Sequence, residues 1–168
     1  HGLDLPSLDG TAGQRALDAA VEAGSIDAGA PVGIAGHSLG GVMGAAQWAD
    51  NEAIEGLALL ASYPADDTNV EARTSGSVVV IVGTEDARST PADVEAGADR
   101  FILTHALVKV PGMNHYDWTD EATDGELAGD GAPTAERADS RTNVQWALAG
   151  WVDSCVTSSV GTWPFYAA

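Results

Sequence analysis

The sequence predicts an α/β fold, in which a mostly parallel sheet is flanked by helices. Short apolar runs of strand length alternate along the chain with helical patterns, and this alternation is typical of a parallel sheet covered on both faces. The clearest strand lies within 75–86, where apolar residues follow one another at 78–82. With 168 residues, of which 45% are hydrophobic, the chain is long enough for one domain with an ordered core (1–168).

The remaining elements follow from apolar runs and helical periodicity. Strands are predicted at 31–36, near 56–61, within 75–86 and within 104–115. Helices are predicted at 11–24, 39–50, 91–101 and 134–156. The last helix is amphipathic, and we expect its apolar face to carry Trp146, Leu148, Trp151 and Val152. The acidic, aperiodic stretch 117–134 is predicted to be a long surface loop.

The charge of the chain restricts its partners. The formal net charge is −18, with 25 acidic residues and Lys109 as the only lysine. Nucleic acids and anionic membrane surfaces require a basic face, so we expect neither as a partner. No apolar run is long enough to span a membrane. An acidic surface suits a secreted protein or a salt-adapted cytoplasmic one, and composition leaves both open. Cys155 is the only cysteine and is expected to be a buried structural thiol.

Three residue types with a shared chemistry follow three of the predicted strands. Ser38 lies in Gly-His-Ser-Leu-Gly between a strand and a helix, Asp86 follows the 75–86 strand, and His115 follows the fourth strand. The carboxyl ends of parallel strands meet at one edge of a sheet, so these side chains are expected to converge there. A serine hydroxyl becomes an effective nucleophile when an imidazole can take its proton. A tight turn at Ser38 also needs small neighbours, which Gly36, Gly40 and Gly41 supply.

With these motifs the chain resembles the C-terminal part of an α/β-hydrolase. The segments "GHSLG", "VVVIVGTED" and "VKVPGMNH" match the nucleophile turn, the acid strand and the histidine loop in the order of that family. "SYPADD" and "GDG" (129–131) resemble bacterial esterases of the dienelactone-hydrolase type. The resemblance implies an α/β-hydrolase fold and a serine hydrolase that cleaves carboxylic esters through an acyl-enzyme, without a cofactor. Ser38 would be the nucleophile, His115 the base and Asp86 its partner, with the N–H of Leu39 in the oxyanion hole.

Several assignments remain open at this point. Glu85, or Asp66 and Asp67 after the second strand, could replace Asp86 as the acid. The side chain of His37 is expected to turn away from the Ser38 hydroxyl. Three aromatic residues are expected to bind substrate or to belong to the core: Tyr116, Trp118 and Tyr63.

The acidic stretch and the start of the chain raise two further questions. Carboxylates in 117–134 are ligands of the kind calcium uses, but their spacing matches no EF-hand, so we predict a solvated loop and no metal. Only residues 1–30 precede the strand at 31–36, whereas the family places several strands before it. We therefore expect an upstream segment, or a second copy in a homo-oligomer, to complete the fold. An impaired hydrolase acting as a binding module, and acyl transfer or perhydrolysis at the same triad, are the alternatives in function.

Overall fold

The computed structural model describes residues 18–19, 21–24, 29–119 and 123–157, without the side chains of 156 and 157. The chain divides into two compact units, His1–Ala30 and Pro31–Ala168. In the first unit, residues 18–19 and 21–22 are helical, in agreement with part of the helix predicted at 11–24. Residues 11–17 and 20 of that helix lie outside the described residues.

A four-stranded sheet forms the centre of the second unit. Its strands are β1 (Val32–His37), β2 (Ile54–Leu60), β3 (Ser77–Gly83) and β4 (His105–Val110). All neighbouring strands are parallel, and their order in the sheet is the order along the chain. Because the strands are parallel, the residues that follow each of them lie at a common edge. The predicted α/β fold with a mostly parallel sheet is confirmed.

Within the described residues, two helices and a 3₁₀ turn connect the strands, and two further helices follow the last strand. The helices are α1 (Leu39–Asp50), α2 (Pro91–Ala98), α3 (Asp124–Leu127) and α4 (Arg137–Thr157), with a 3₁₀ turn at Val70–Ala72. Helix α1 has the bounds that its small-residue pattern predicted. Helix α2 begins at Pro91, and the Thr90 side chain accepts a hydrogen bond from the N–H of Asp93 at its N-terminus. Among the helices of the described residues, none has the length and apolar character of a membrane span.

Alternate residues of the buried strands form a core on each face of the sheet. On one face, Val78, Val80 and Val82 of β3 pack with residues of α1 and α2, including Trp48 and Val94. On the other face, the core contains the following residues of β2, β3, β4 and α4: Ala58, Val79, Ile81, Ala106, Val144, Trp151 and Cys155. This period of two explains why 78–82 is apolar without interruption, since both faces of the strand are covered.

The buried face of α4 differs from the predicted one. Trp151 is buried and Leu148 is partly buried against the core, as expected. Trp146 and Val152, however, are 76% and 50% exposed. Residues 146 and 152 are six apart, about 240° around a helix from each other, and neither lies on the stripe through Val144 and Trp151. The stripe that meets the sheet continues to Cys155, which is buried as predicted.

A buried arginine fixes the end of the helix that follows Ser38. Arg73 donates hydrogen bonds to the carbonyls of Trp48 and of Asn51, the latter at 2.9 Å, and to that of Ile54 at 3.0 Å. Its guanidinium lies 4.4 Å from the centre of a Trp48 ring. Burial lowers the pKa of Arg73. The side chain thus satisfies carbonyls at the C-terminus of α1 and links them to the start of β2.

Candidate active site

Ser38 lies in the tight turn between β1 and α1. Its φ of 52° and ψ of −125° are unfavourable for a residue with a Cβ, at a cost of about 1–3 kcal/mol. Hydrogen bonds hold the turn in place. The N–H of Ser38 donates to the Leu60 carbonyl at 3.0 Å, and the Ser38 carbonyl accepts from the N–H of Gly41 at 2.9 Å. The Ser62 hydroxyl donates to the same carbonyl at 2.7 Å.

Two of the three glycines around Ser38 are required by close contacts. A Cβ on Gly36 would overlap the main-chain carbonyl of Gly40, and a Cβ on Gly41 would come within 2.5 Å of the Ser62 side chain. Gly40 does not follow the expectation, because a Cβ there would meet no described atom within 4 Å. Gly36 and Gly41 therefore allow α1 to pack closely against the ends of β1 and β2.

The structure brings Ser38, His115 and Asp86 together in one hydrogen-bonded series. His115 Nε2 lies 3.0 Å from Ser38 Oγ, and His115 Nδ1 lies 2.9 Å from Asp86 Oδ2. Asp86 and His115 are only 3% and 4% exposed. With Nδ1 donating to the carboxylate, Nε2 is the acceptor for the serine hydroxyl. The imidazole is thus held in the tautomer that can take the proton of Ser38.

The carboxylate of Asp86 is held by the loop on which it lies, residues 84–90 (the acid loop). Its Oδ1 accepts from the N–H of Arg88 at 2.9 Å and of Ser89 at 2.7 Å. This leaves Oδ2 for His115. Of the alternative acids, Glu85 accepts from the Thr84 hydroxyl at 3.2 Å, and Asp66 and Asp67 are exposed. Asp86 is the candidate whose carboxylate contacts the imidazole.

His115 lies on a loop that is fixed from several sides, residues 111–119 (the histidine loop). Asn114 Oδ1 accepts from the N–H groups of Tyr116 and Asp117 at 3.1 and 3.0 Å. Asp117 is buried and pairs with Arg137 of α4, with Nε and Oδ1 3.2 Å apart. Asp130 Oδ2 accepts from the main-chain N–H of His115 itself at 2.7 Å.

His37 contacts the main chain of the histidine loop. Its Nε2 lies 3.0 Å from the His115 carbonyl oxygen, which requires a proton on that nitrogen. The centres of the two imidazole rings are 4.8 Å apart, and the centre of the Trp118 ring lies 5.9 Å from that of His37. Burial and, after it, the charge of His115 lower the pKa of His37. A neutral His37 therefore supports the carbonyl of His115.

A cleft of about 400 Å³ lies beside Ser38. Its lining consists of Ser38, Leu39, Val42, Ser62, Tyr63, Ala65, Asp66 and Ser89. Of the three aromatic residues expected to bind substrate or to belong to the core, Tyr63 lies in this lining. Tyr116 instead packs edge-on against the His115 ring at 5.2 Å, and Trp118 is partly buried against the core that contains Val144 and Trp151.

One wall of the cleft is formed by the loop after β2, and an arginine holds this loop in place. Arg100 donates to the carbonyl of Ala65 at 2.9 Å and to that of Thr68 at 2.5 Å. Its Nε also pairs with Glu71 Oε1 at 2.8 Å, and this hydrogen bond lowers the pKa of Glu71. Arg100 thereby connects the end of α2 to the loop that carries Ala65 and Asp66.

Leu39 is the first residue of α1 and also lines the cleft. The N–H groups in the first turn of a helix have no intrahelical acceptor. The positive end of the helix dipole lies at the same place. The N-terminus of α1 can therefore stabilise negative charge that develops next to Ser38.

Part of the acidic stretch has a structure that we did not predict. Residues 124–127 form α3, whose start is capped by reciprocal hydrogen bonds between Thr123 and Glu126. The spacing Thr-x-x-Glu is the sequence signal of such a capping box.

The carboxylates of the acidic stretch were also considered as calcium ligands. Asp130 accepts hydrogen bonds from main-chain N–H groups, and Asp120 and Glu121 lie outside the described residues. Within the described residues, no three His, Cys, Asp or Glu side chains are grouped to hold a metal ion.

The sequence interpretation missed two residues next to the candidate triad. Ser62 donates to the carbonyl of Ser38, and Ala61, the residue before it, has the unusual φ of 48°. Asp130 accepts from the N–H of His115. Ser62 lies two residues after β2 and begins the quoted tract "SYPADD", so its place beyond the end of a strand is a signal that could have identified it, as it did for Asp86. Asp130 lies in the quoted segment "GDG", but its contacts are to main-chain atoms of two loops, so the motif did not reveal what its side chain does.

Comparisons with known proteins agree with this architecture. A model of the alpha/beta hydrolase family matches residues 15–142 of the chain. The chain is also similar to the crystal structure of an Agrobacterium tumefaciens protein of unknown function that is provisionally classed as an alpha/beta hydrolase. The identity is 18% and the TM-score 0.57, over 89% of this chain and 65% of the other. The chain thus spans less than two thirds of that protein, and the likeness concerns the fold alone. Comparison with curated proteins finds no significant match.

Proposed function

Because the chain belongs to the α/β hydrolase family, we propose that it is a serine hydrolase that cleaves carboxylic esters through an acyl-enzyme. The observation that carries the proposal is the hydrogen-bonded series from Ser38 through His115 to Asp86, with distances of 3.0 and 2.9 Å. A nucleophile, a base and a group that orients the base are the parts that such a reaction needs.

In the proposed reaction, Ser38 Oγ attacks the ester carbonyl while His115 Nε2 takes the hydroxyl proton. The carbon–oxygen bond to the alcohol then breaks, and the protonated Nε2 gives its proton to the leaving alkoxide. Water attacks the acyl group on Ser38 with the same base, which releases the acid and restores the serine. Asp86 keeps the imidazole in the reactive tautomer and stabilises its protonated form.

Negative charge that develops on the carbonyl oxygen requires hydrogen-bond donors that are already in position. We assign the N–H of Leu39 to this role, because it lies at the N-terminus of α1 directly after Ser38. Substrate would bind in the cleft beside Ser38, with Tyr63 as an apolar wall. Among the described residues, the cleft lining contains one carboxylate, Asp66, and no lysine or arginine.

The test is covalent labelling of the serine. A fluorophosphonate reacts with an activated serine and forms one stable adduct, so we expect one label per chain and complete loss of ester hydrolysis. Ser38→Ala should abolish both the label and the activity. Ser140→Ala is the matched control, because it removes a buried serine hydroxyl of α4 that has no part in the proposed reaction. A label on another residue, or an active Ser38→Ala protein, would disprove the assignment.

A further inference from the structure

We propose that Asp130 is a positioning residue that fixes the acid loop and the histidine loop relative to each other. The inference rests on the proposed ester hydrolysis. Its structural basis is that one carboxylate connects main-chain atoms on both loops. Asp130 Oδ2 accepts from the N–H of His115 at 2.7 Å, while Oδ1 accepts from the N–H of Ala87 at 2.9 Å. Asp130 thus contacts the proposed base and the residue directly after the proposed acid.

A carboxylate suits this position because each of its contacts is to a donor. The N–H of Gly131 is a third donor, 2.9 Å from Oδ1. Hydrogen bonds to an ionised acceptor are shorter and stronger than those between neutral groups. An asparagine would turn an NH₂ group toward one of these N–H donors in either orientation of its amide. The distance between the two loops would then change.

Of the two glycines that flank Asp130, Gly131 is the one that the close approach to the acid loop requires. A Cβ on Gly131 would overlap the main-chain carbonyl of Glu85, which cannot move without the acid loop. A Cβ on Gly129 would overlap only the guanidinium of Arg88, an exposed and flexible side chain. The contact therefore requires Asp130 and Gly131, whereas Gly129 can be replaced by alanine if the Arg88 side chain moves.

The same segment is tied to the histidine loop a second time. Asn114 Nδ2 donates to the carbonyl of Gly131 at 2.9 Å. Residues 130–131 consequently lie between the two loops and contact each of them. The distance between Asp86 Oδ2 and His115 Nδ1 depends on the spacing of these loops. Displacement of a reacting group by about 1 Å can cost on the order of 10²-fold in rate.

The experiment compares Asp130→Asn with the wild-type protein and with Asp124→Asn, an exposed acid of α3. Steady-state ester hydrolysis is measured at a temperature where circular dichroism shows all three proteins folded. We expect Asp130→Asn to lower kcat about 10²-fold and to leave KM unchanged, since Asp130 lies outside the lining of the cleft in the described residues. Asp124→Asn should keep the wild-type kcat.

A second pair of variants keeps the carboxylate and covers the case in which Asp130→Asn does not fold. Gly131→Ala should lower kcat at constant KM, because its methyl group displaces residue 130 from the acid loop. Gly129→Ala should remain close to wild type, because Arg88 can move aside. A wild-type kcat in either Asp130→Asn or Gly131→Ala, or a loss confined to melting temperature, would overturn the inference. If the wild-type protein neither hydrolyses esters nor reacts with the fluorophosphonate, the proposed function itself is disproved, and the role of Asp130 with it.

Discussion

The strained backbone of Ser38 leads to a prediction about stability. Ser38→Ala and Ser38→Gly both remove the hydroxyl, but only glycine also removes the Cβ from a residue with φ of 52° and ψ of −125°. The strain at such a residue is about 1–3 kcal/mol. Relief of the strain stabilises the glycine variant, but glycine also increases the conformational entropy of the unfolded chain, which offsets about 0.4–1 kcal/mol of this stabilisation. The free energy of unfolding of Ser38→Gly should therefore exceed that of Ser38→Ala by about 1 kcal/mol.

Thermal unfolding followed by circular dichroism measures this difference. For a chain of this size, 1 kcal/mol corresponds to about 2–4 °C in Tm, so Ser38→Gly should melt higher than Ser38→Ala by that amount. Ala149→Gly is the control. Replacing an exposed helical alanine by glycine lowers the free energy of unfolding by about 1 kcal/mol. Equal melting temperatures for the two Ser38 variants, or a lower one for glycine, would refute the reasoning that the turn is strained.

Three further predictions concern the acid, the second imidazole and the net charge. Asp86→Asn should lower kcat about 10⁴-fold, as for the carboxylate of a protease triad. Glu85→Gln and Asp66→Asn should lower kcat much less. A large loss of kcat in Asp66→Asn would instead assign the acid to the loop after β2. Burial lowers the pKa of His37 from its ordinary value of 6.5, so His37 binds a proton more readily in the unfolded chain than in the folded protein. The free energy of unfolding therefore falls as the pH drops through about 6.5. Between about pH 8 and 6, Tm should therefore fall further in the wild-type protein than in His37→Gln. Equal decreases of Tm with pH in the two proteins would count against this. With a net charge of −18, added salt should raise Tm by several degrees through screening of repulsion, which a Tm independent of salt would contradict.

The strands and the candidate triad could be predicted because their signals are local. A strand buried on both faces must be apolar throughout, as 78–82 is, and this identifies β3 without knowledge of its neighbours. Ser38, Asp86 and His115 follow β1, β3 and β4, which are short and mostly apolar, although of these three only β3 is almost completely buried. Parallel pairing then brings them to one edge of the sheet, so their order in the chain was sufficient to expect that they meet.

Features that depend on how elements pack could not be predicted in the same way. The buried stripe of α4 was misjudged because Trp146 and Val152 are large and apolar, yet they lie outside the stripe that meets the sheet. Gly40 was expected to be required by the turn, but the close contacts involve Gly36 and Gly41 instead. The role of Asp130 depends on where two loops approach a third segment, and this is determined by the tertiary structure.

The central claim is that Ser38 carries the acyl group during turnover. Mixing the protein with excess p-nitrophenyl ester and following nitrophenol in the first turnover tests it directly, with mass spectrometry of the acid-quenched protein. We expect a burst of one nitrophenol per chain where deacylation is slower than acylation, and an added acyl mass on the peptide that contains Ser38. His115→Ala should show neither. A burst whose acyl group lies on a residue other than Ser38, or undiminished ester hydrolysis by Ser38→Ala, would contradict the account.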